Sequence, residues 1–279
     1  MSRLGLHRTL EDMRAQVAAW KADGLRVGLV PTMGALHAGH LSLVDAIAKN
    51  VDKIIVSIFV NPTQFAAHED LSTYPRQEAT DLAALETTPA DAVFAPTVQE
   101  MYPQGFTTGI SMAGPALGLE SETRSHFFGG VALIVLKLLT QTQTDVAIFG
   151  EKDYQQLMVI RRMVADLNLP VEIMAGAIQR EADGLAISSR NVYLDAEQRK
   201  IAAQLNVILH QLANHRASAE VAEAEAKRAL LEAGFTEVEY ACIRDAETLG
   251  VPDANTRARR ALIVARLGET RLLDNSPAV

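Results

Sequence analysis

The chain has 279 residues, of which 48% are hydrophobic, and this is enough to bury a large core in one or two domains. Its formal net charge of -8 argues against a broad nucleic-acid-binding surface, because phosphate backbones are bound by clustered Lys and Arg. The single cysteine, Cys242, excludes an intrachain disulfide, is typical of a reducing cytoplasm and is expected to serve in packing.

Two observations argue against an export signal or a membrane span. The first thirty residues lack a basic, then apolar, then small-residue signal pattern. The residues from Thr9 to Lys21 instead have the spacing of an amphipathic helix, and Thr9 with Asp12 resembles a capping box. The longest apolar stretch, Val131 to Leu139, contains Lys137 and is far shorter than the roughly 20 residues that a span needs. We therefore expect a soluble cytoplasmic protein.

The first two thirds of the chain alternate between short β-branched runs and helix-length segments. The predicted strands are Arg26 to Val30, Lys53 to Val60, Ala92 to Ala95, Val146 to Phe149 and Val171 to Ala175. Helices are predicted at Leu41 to Lys49, Arg76 to Thr87, Gly130 to Thr142 and Tyr154 to Leu167. Continuous apolar strands separated by helices indicate a parallel sheet covered on both faces, which is a doubly wound α/β fold. Such sheets bind ligands just beyond the carboxyl ends of their strands.

A second domain is predicted from residue 179 onward, where the pattern changes. Two long helical patterns, Ala196 to Asn214 and Ala219 to Ala233, precede strand-like segments at Val238 to Ile243 and Ala261 to Ala265. We expect a smaller α+β domain over residues 179–279, after a sheet domain over residues 1–178.

The first strand is followed by Pro-Thr-Met-Gly-Ala-Leu-His-Ala-Gly-His, residues 31–40, and then by an apolar helix. The amides of a helix's first turn lack partners inside the helix and lie at the positive end of its dipole, which favours phosphate. His37 and His40 are expected on the same side of that turn, where two imidazoles can donate to a triphosphate. Gly34 and Gly39 would allow the backbone to approach a nucleotide closely. The alternative is that a histidine only caps the helix or lies in the core.

The second strand ends in Val-Asn-Pro-Thr-Gln-Phe, which places Asn61 and Gln64 where the strand meets a loop. Neutral amides at this place suit a hydroxylated substrate better than another charge would. The alternative is an Asn-Pro turn with an exposed glutamine. The following segment, Glu69 to Arg76, reads as an ordinary loop.

The fourth strand ends in Phe-Gly-Glu-Lys-Asp-Tyr-Gln-Gln-Leu, residues 149–157, at another junction of strand and helix. Lys152 is a compact cation that can reach phosphate oxygens, and Gly150 leaves room for ribose or phosphates. Asp153 and Gln156 are three residues apart and would share a helix face. The alternative is a helix N-terminus with favourable acids in its first turn.

A cluster of donors opens the second domain. Ser188, Ser189 and Arg190 bring two hydroxyls and a guanidinium together, and Arg can bind phosphate oxygens bidentately. If this segment folds over the first domain, it would enclose the phosphates from the far side. The alternative is a polar turn.

These motifs, in this order and approximate spacing, resemble those of the pantoate-β-alanine ligase family, also called the pantothenate synthetase family. The similarity runs over nearly the whole chain, to Arg271 to Asn275 near its end. It is more specific than the His-x-Gly-His element, which nucleotidyltransferases and class I aminoacyl-tRNA synthetases share. Three alternatives remain: a nucleotidyltransferase, which the asparagine and glutamine motifs disfavour; a tRNA synthetase, which the net charge disfavours; and a silent binding protein, which the intact motifs disfavour.

The resemblance implies a Rossmann-like domain that binds ATP and pantoate over residues 1–178, a C-terminal lid domain over residues 179–279, and a homodimer. It implies that ATP and pantoate give pantoyl adenylate and pyrophosphate, after which β-alanine attacks and releases AMP. Mg²⁺ is expected to neutralise the β and γ phosphates, although no acidic cluster in the sequence forms a dedicated metal site. No nucleic-acid or membrane partner is expected.

The resemblance also implies the residues of the site. Catalysis is expected from His40 with His37 beside it, and stabilisation of phosphate charge from Lys152 and Arg190. ATP is expected to contact Met33, Gly34, Ala35, Leu36, His37, Ala38, Gly39, His40, Gly150, Glu151, Lys152, Asp153, Gln179, Ile187, Ser188, Ser189 and Arg190. Gln64 and Gln156 are expected to hold pantoate, with Gln64 also lying near β-alanine.

Two positions depart from the family pattern. Gln179 stands where the family usually has an apolar residue, but a main-chain contact to adenine should survive that change. Many relatives read Arg-Pro-Gly-His-Phe before the long apolar helix, whereas the run from Arg124 to Gly130 shifts the histidine by one place. His126 is therefore assigned no role.

Overall fold

The computed structural model describes residues 4–65, 74–216 and 218–279 of the chain. The chain divides into two compact units, one of Met1–Glu151 with Val159–Gly176 and the other of Lys152–Met158 with Ala177–Val279. Residues 69–73 of the predicted loop lie outside the described residues. The predicted division of labour between an ATP-binding domain and a lid stays a prediction.

The first unit is built on one parallel sheet. Its strands are β1 (Gly5–His7), β2 (Val27–Thr32), β3 (Lys53–Ile58), β4 (Ala92–Phe94), β5 (Val146–Gly150) and β6 (Glu172–Gly176). They lie in the order β1-β4-β3-β2-β5-β6, and every neighbouring pair is parallel. This confirms the predicted doubly wound α/β class. The edge strand β1 was not among the predicted strands, because three residues are too few to show a hydrophobic period.

Helices connect the strands of this sheet. They are α1 (Leu10–Ala22), α2 (Ala38–Ile47), α3 (Glu78–Glu86), α4 (Val98–Met101), α5 (Glu120–Thr123), α6 (Phe127–Thr142) and α7 (Tyr154–Asp166). Thr9 is the N-cap of α1, as predicted: its hydroxyl oxygen accepts from Asp12 N at 3.2 Å and donates to the Asp12 carboxylate at 2.7 Å. The bond from Asp12 N satisfies one of the backbone amides that have no partner inside the first turn of α1.

The order of the strands brings several motifs to one edge of the sheet. β2 pairs with β3 on one side and with β5 on the other, so the topological switch point lies beside β2. Parallel strands end at the same edge, and the crevice at a switch point is where such sheets bind ligands. Met33, Asn61 and Gly150 follow or end β2, β3 and β5 at this edge.

Apolar side chains from the strands and α2 hold this edge in place. Val30 and Ile148 of the sheet are buried in one cluster with Val44 and Ile47 of α2. Burying such a side chain fully contributes roughly 1.5 to 3 kcal/mol. A Cβ at Gly28 would lie 2.8 Å from Ile47 Cδ1 and 2.9 Å from Val51 Cγ2, so a larger residue there would require these side chains to shift. The start of α2 therefore rests on a closely packed support.

Among its described residues, the second unit holds an antiparallel sheet with helices packed against it. The strands β7 (Glu237–Asp245), β8 (Arg259–Leu267) and β9 (Thr270–Ala278) pair in that order, and the helices are α8 (Ala196–Ala202), α9 (Gln204–Ala213) and α10 (Ala219–Ala233). Leu209, Leu230 and Ile263 are buried together in its core. This confirms the predicted smaller α+β fold.

Two predicted elements of the second unit differ from the structure. The single helix predicted over Ala196 to Asn214 is wrong, because α8 and α9 are separate helices with a turn at Ala203. The backbone of Ala203 keeps helical angles, φ -62° and ψ -25°, and no Gly or Pro marks the break. β9 was missed because Asp274, Asn275 and Pro277 disfavour strands, and the edge of a sheet tolerates the proline.

Two smaller expectations concern the cysteine and the membrane. Cys242 is buried in β7, as expected of a packing residue. In the described part of the chain, no helix is long and apolar enough to cross a membrane.

Candidate functional site

The turn after β2 places the two motif histidines close together at the start of α2. His37 is the N-cap, and its Nδ1 accepts a hydrogen bond from Gly39 N at 3.1 Å. His40 Nδ1 accepts from His37 N at 3.4 Å, which completes a capping box. The ring centroids are 4.0 Å apart. Both histidines therefore cap the helix, and α2 begins at Ala38 instead of the predicted Leu41.

Capping determines which ring nitrogen of each histidine carries the proton. A neutral imidazole has one acceptor nitrogen and one donor nitrogen. Both Nδ1 atoms accept backbone hydrogen bonds, so these bonds assign the proton of each neutral ring to Nε2. Each ring thus has a structural acceptor on one side and an N–H donor on the other. Capping and donation to a ligand are compatible in the same side chain.

The two glycines of the motif have local structural roles. A Cβ on Gly39 would lie 2.9 Å from Cε1 and 3.0 Å from Nδ1 of His37, so a larger residue would displace the capping ring. Gly34 has φ +79°, and a Cβ there would lie 3.0 Å from Asp81 Oδ2. From the sequence, both glycines were expected only to admit a nucleotide. In the structure, they make room for a histidine ring and for a carboxylate.

A buried carboxylate from α3 holds the same turn. Asp81 is 2% exposed; its Oδ2 accepts from Ala35 N at 3.0 Å and its Oδ1 accepts from Leu36 N at 2.8 Å. Ala35 has φ +50°, a left-handed conformation that disfavours residues with a Cβ. The two hydrogen bonds stabilise this conformation. They also occupy two amides of the turn, so a contact of Ala35 or Leu36 with ATP would have to use other atoms.

Asn61 and Gln64 form a buried pair in the turn after β3. Asn61 Nδ2 donates to Gln64 Oε1 at 3.1 Å and to Gly130 O at 3.2 Å. Gln64 Nε2 donates to Met33 Sδ at 3.0 Å. Gln64 is only 9% exposed, so the alternative of an exposed glutamine is wrong. Because Asn61 occupies Oε1, the donor end of the Gln64 amide is directed toward the first motif.

Tyr102 orients Asn61 in turn. Its hydroxyl donates to Asn61 Oδ1 at 2.8 Å, and Thr63 Oγ1 donates to the same oxygen at 3.0 Å. Burial raises the pKa of Tyr102 above its usual value, so the phenol keeps its proton and remains a donor. The Lys137 ammonium lies 5.7 Å from the centroid of the Tyr102 ring. A chain of directed hydrogen bonds therefore leads from Tyr102 through Asn61 to Gln64.

The motif after β5 lies at the start of α7. Gly150 ends β5, and a Cβ on it would meet no atom of the described residues within 4 Å. Glu151, Lys152 and Asp153 form one 3₁₀ turn, and Gln156 lies in the first turn of α7. Gln156 is partly exposed. The space at Gly150 is compatible with the prediction that ribose or phosphates approach there.

In the second unit, the remaining predicted residues lie on a short β-bridge and the turn after it. Ile187 N donates to Gln179 O at 2.9 Å, beside the bridge that pairs Arg180 with Ala186. The Ser188 hydroxyl oxygen accepts from Arg190 N at 3.3 Å and caps the 3₁₀ turn Ser189–Tyr193. The segment forms a polar turn, and its contact with ATP stays a prediction. The structure brings Gln179, Ile187, Ser188 and Arg190 into one local arrangement.

The shifted histidine has no capping role in α6. His126 is the N-cap residue, but its side chain makes no capping hydrogen bond. The next residue, Phe127, lies with its ring centroid 3.8 Å from the Arg124 guanidinium carbon. Arg124 Nη2 also donates to Gln64 O at 3.3 Å. Arg124, the first residue of this segment, therefore supports the turn at Gln64. These contacts assign no role to His126.

Two supporting residues, Asp81 and Tyr102, were not predicted from the sequence. Asp81 lies four residues before Leu85, and both side chains are buried on the same face of α3. A carboxylate on the same buried helix face as a core leucine is unusual. This pattern is the sequence signal that could have identified Asp81. Tyr102 follows the short helix α4 in a segment without a motif, so nothing in the sequence connects it with Asn61.

A family model described as pantoate-beta-alanine ligase matches residues 5–277. The chain belongs to the pantoate-β-alanine ligase family. The pantothenate synthetase of Mesorhizobium japonicum is 52% identical over 278 residues, and this match covers 99% of the present chain and 98% of that relative. The predicted family is confirmed over almost the whole length of the chain.

Solved structures of relatives share the fold of both units. Pantothenate synthetase from Thermus thermophilus matches with a TM-score of 0.86 at 41% identity, over 98% of each chain. The pantoate-β-alanine ligase from Francisella tularensis, complexed with β-γ ATP and β-alanine, matches with a TM-score of 0.83 at 32% identity. That match covers 98% of the present chain and 97% of the relative. The predicted enzyme class, a ligase, is confirmed, whereas the roles of individual residues stay predictions.

Proposed function

We propose that the chain condenses (R)-pantoate with β-alanine at the expense of ATP, giving pantothenate, AMP and pyrophosphate through a pantoyl-adenylate intermediate. The observation that carries this proposal is the family match over residues 5–277. The complex of the Francisella tularensis relative with β-γ ATP and β-alanine supports these two substrates. The turn from Met33 to His40, at the switch point of a parallel sheet, supports the nucleotide-binding half independently.

The reaction requires activation of a carboxylate, because oxide is not a leaving group. A pantoate carboxylate oxygen bonds to the α-phosphorus of ATP, and the bond from that phosphorus to the oxygen of pyrophosphate breaks. The amine nitrogen of β-alanine then bonds to the carbonyl carbon and loses a proton, and the bond from this carbon to the AMP oxygen breaks. In both steps, the protein positions the reactants and stabilises developing charge.

His40 and His37 are proposed to donate from Nε2 to the phosphate oxygens on which charge develops. Their Nδ1 atoms are held by the backbone of the same turn, so the donors are fixed before the ligand arrives. Asp81 contributes by holding the backbone of Ala35 and Leu36. The proposed ATP contacts of the first unit are Met33 to His40, Gly150 and Glu151.

Gln64 is proposed to bind pantoate and to lie near β-alanine. Its Oε1 already accepts from Asn61, so its amide nitrogen, which donates to Met33 Sδ, is the end of the side chain proposed to donate to a carboxylate or hydroxyl oxygen. Gln156, in the first turn of α7, is the second proposed pantoate contact.

The second unit is proposed to supply cationic and polar contacts to ATP. Lys152 and Arg190 are assigned to the phosphates, because an ammonium and a guanidinium stabilise phosphoryl charge. Asp153, Gln179, Ile187, Ser188 and Ser189 complete the proposed ATP contacts. For adenine, the proposed contacts at Gln179 and Ile187 use the main chain, in keeping with a glutamine at a usually apolar position. Gln179 O and Ile187 N already bond each other, so the proposed contacts use the other main-chain groups of these residues.

Mg²⁺ is proposed to enter with ATP as part of the substrate. Within residues 4–65, 74–216 and 218–279, no group of three or more His, Cys, Asp or Glu side chains could hold a metal ion. Mg²⁺ commonly keeps several waters and binds through substrate phosphates, so a protein cage is not needed. Bound there, it would neutralise the β and γ phosphates.

We extend the proposal to a cytoplasmic homodimer, on the basis of the family resemblance. Sedimentation equilibrium of the purified chain should give twice the 30.2 kDa mass of one chain. A single species at 30.2 kDa would contradict the dimer and leave the ligase reaction unaffected.

The reaction is tested by supplying ATP, pantoate and β-alanine together. AMP, pyrophosphate and the amide should appear in equal amounts. ADP and inorganic phosphate would instead indicate an acyl phosphate and contradict the proposal. A product that retains the nucleotide would indicate a nucleotidyltransferase.

A further inference from the structure

The C-terminal strand makes a direct contact with the main chain of Lys152. Asn275 of β9 donates from Nδ2 to Lys152 O at 2.8 Å, although 123 residues separate the two positions. Asn275 is 2% exposed, so its end of the hydrogen bond is shielded from water. The bond fixes the backbone at Lys152 and does not involve the ammonium group.

The orientation of the Asn275 amide is set by a second buried residue. Arg260 of β8 donates from Nε to Asn275 Oδ1 at 2.7 Å, and Arg260 is 6% exposed. The guanidinium has donors only, so it identifies Oδ1 as the oxygen and leaves Nδ2 to face Lys152. The backbone N–H of Asn275 donates to Asp274 Oδ1 at 2.8 Å, so the main chain of Asn275 is held as well as its side chain.

The same arginine also holds the residue two positions after Lys152. The guanidinium carbon of Arg260 lies 4.1 Å from the centroid of the Tyr154 ring, and the Tyr154 hydroxyl donates to Ala246 O at 2.9 Å. Lys152 and Tyr154 are therefore fastened to one antiparallel sheet. In agreement with this, the segment Lys152–Met158 belongs to the C-terminal unit of the chain.

We propose that Asn275 is a positioning residue for Lys152: it fixes the Lys152 backbone so that the ammonium group is presented to the phosphates of ATP. The proposal rests on the proposed function, because it requires Lys152 to contact those phosphates. Asn275 itself touches no reacting atom. Through the bond from Arg260 to Asn275, the interior of the C-terminal sheet determines the geometry of a cation that acts in the adenylation step.

The test is a double-mutant cycle between Asn275 and Lys152, measured as pantoate-dependent exchange of pyrophosphate into ATP. Asn275→Ala in the otherwise wild-type enzyme should lower kcat for the exchange about 5- to 30-fold, as expected for the loss of one hydrogen bond and of precise positioning. The KM for pantoate should be unchanged. In a Lys152→Ala enzyme, the same substitution should have no further effect on kcat.

A second variant separates positioning from folding. Asn275→Asp keeps the shape of the side chain and an acceptor for Arg260, but it replaces the donor that faces Lys152 O with an oxygen. It should lower kcat at least as much as Asn275→Ala while retaining the thermal transition of the fold. Glu239→Gln is the matched control, because the buried Glu239 carboxylate of β7 accepts from Arg266 Nε at 3.0 Å and from Arg271 Nη2 at 2.8 Å in the same sheet, in a network separate from the bonds of Asn275 described above. It should lower Tm and leave kcat unchanged.

Equal losses of kcat from the Asn275 substitution in the wild-type and Lys152→Ala enzymes would overturn the proposal, as would an unchanged kcat for Asn275→Asp. A fully active Lys152→Ala enzyme would overturn both the role of Lys152 and that of Asn275. Failure of the proposed function is distinguishable from all of these, because the wild-type enzyme itself would then form no AMP and pyrophosphate.

Discussion

At the scale of single residues, the first motif combines an observed structural role with a proposed chemical role in the same side chains. His37 and His40 cap α2 through Nδ1, and this capping assigns the proton of each neutral ring to Nε2. The sequence places the two rings on one turn but leaves the tautomer open. The tautomer is determined by the backbone hydrogen bonds that the two Nδ1 atoms accept, and these bonds depend on the φ and ψ angles of the cap.

The proposed chemical role of His40 can be separated from its capping role by mutation. His40→Ala removes both the cap and the Nε2 donor, and it should lower the rate of adenylate formation roughly 10²- to 10³-fold. His40→Gln places at the third helical position a residue that capping boxes commonly use, so α2 should keep its cap. Quench-flow measurement of pyrophosphate release should show a loss of rate in both variants. Normal pyrophosphate release from His40→Gln, with Tm unchanged, would remove His40 from the chemistry.

Asp81 provides a second prediction at this scale. Asp81→Asn would set an amide NH₂ group against Ala35 N or Leu36 N, which leaves one buried N–H without an acceptor. We expect a loss of about 2 kcal/mol in the free energy of unfolding and a rise of about tenfold in the KM for ATP, because the turn loses its left-handed conformation at Ala35. Urea unfolding and initial rates would measure the two effects.

The matched control for Asp81 is Glu78→Gln on the same helix. Glu78 pairs with Arg8 at the surface, where ion pairs contribute little. This variant should keep the wild-type KM for ATP. A wild-type KM for ATP in Asp81→Asn would show that the carboxylate does not support the site.

At the scale of elements, the strength of local patterns determined what could be predicted. The buried strands β2, β3 and β5 carry continuous apolar runs, and their positions were predicted within two residues at either end. The strand β9 was not predicted, because Asp274 and Asn275 are buried by their hydrogen bonds and give the sequence no hydrophobic period at these positions. The break between α8 and α9 was not predicted, because the helical pattern of the sequence continues through Ala203.

Asp145 connects three elements at the amino edge of the first sheet. Its carboxylate accepts from Lys21 of α1 and, at 2.7 Å, from Val27 N at the start of β2, while its carbonyl accepts from Glu172 N of β6 at 2.9 Å. Burial alone would raise the pKa of Asp145, but the hydrogen bonds from Lys21 and Val27 outweigh it and hold the pKa below 3.8.

This lowered pKa predicts a stability difference that depends on pH. A carboxyl whose pKa is lower in the folded than in the unfolded state stabilises the fold at pH values above the pKa of the unfolded state. That contribution is lost as the pH falls through the pKa of the folded state. Asp145→Asn should therefore lower the free energy of unfolding at pH 7, by about 1 kcal/mol after allowance for solvent screening. The difference from wild type should shrink as the pH falls below 3.8. A difference that is the same at pH 7 and in acid would exclude the charge as its cause; urea titrations at both pH values measure it.

At the scale of the whole molecule, the sequence could predict two domains and a ligase, but not how the motifs are divided between the units. Residues 149–157 read as one motif, whereas Gly150 ends a strand of the first unit and Lys152 is fastened to Asn275 of the second. A contact across 123 residues leaves no local pattern in a single sequence. The main chain of the cation proposed to act on the phosphates is therefore bonded by a strand that carries none of the nucleotide motifs.

The central claim is that pantoate is activated as an adenylate before the amine reacts. It is tested most directly by labelled pyrophosphate exchange into ATP in the presence of pantoate and the absence of β-alanine. An adenylate mechanism predicts exchange that requires pantoate, because the first step is then reversible without the amine. Absence of exchange from an enzyme that forms the amide at its normal rate would contradict the intermediate and would favour a concerted reaction of all three substrates.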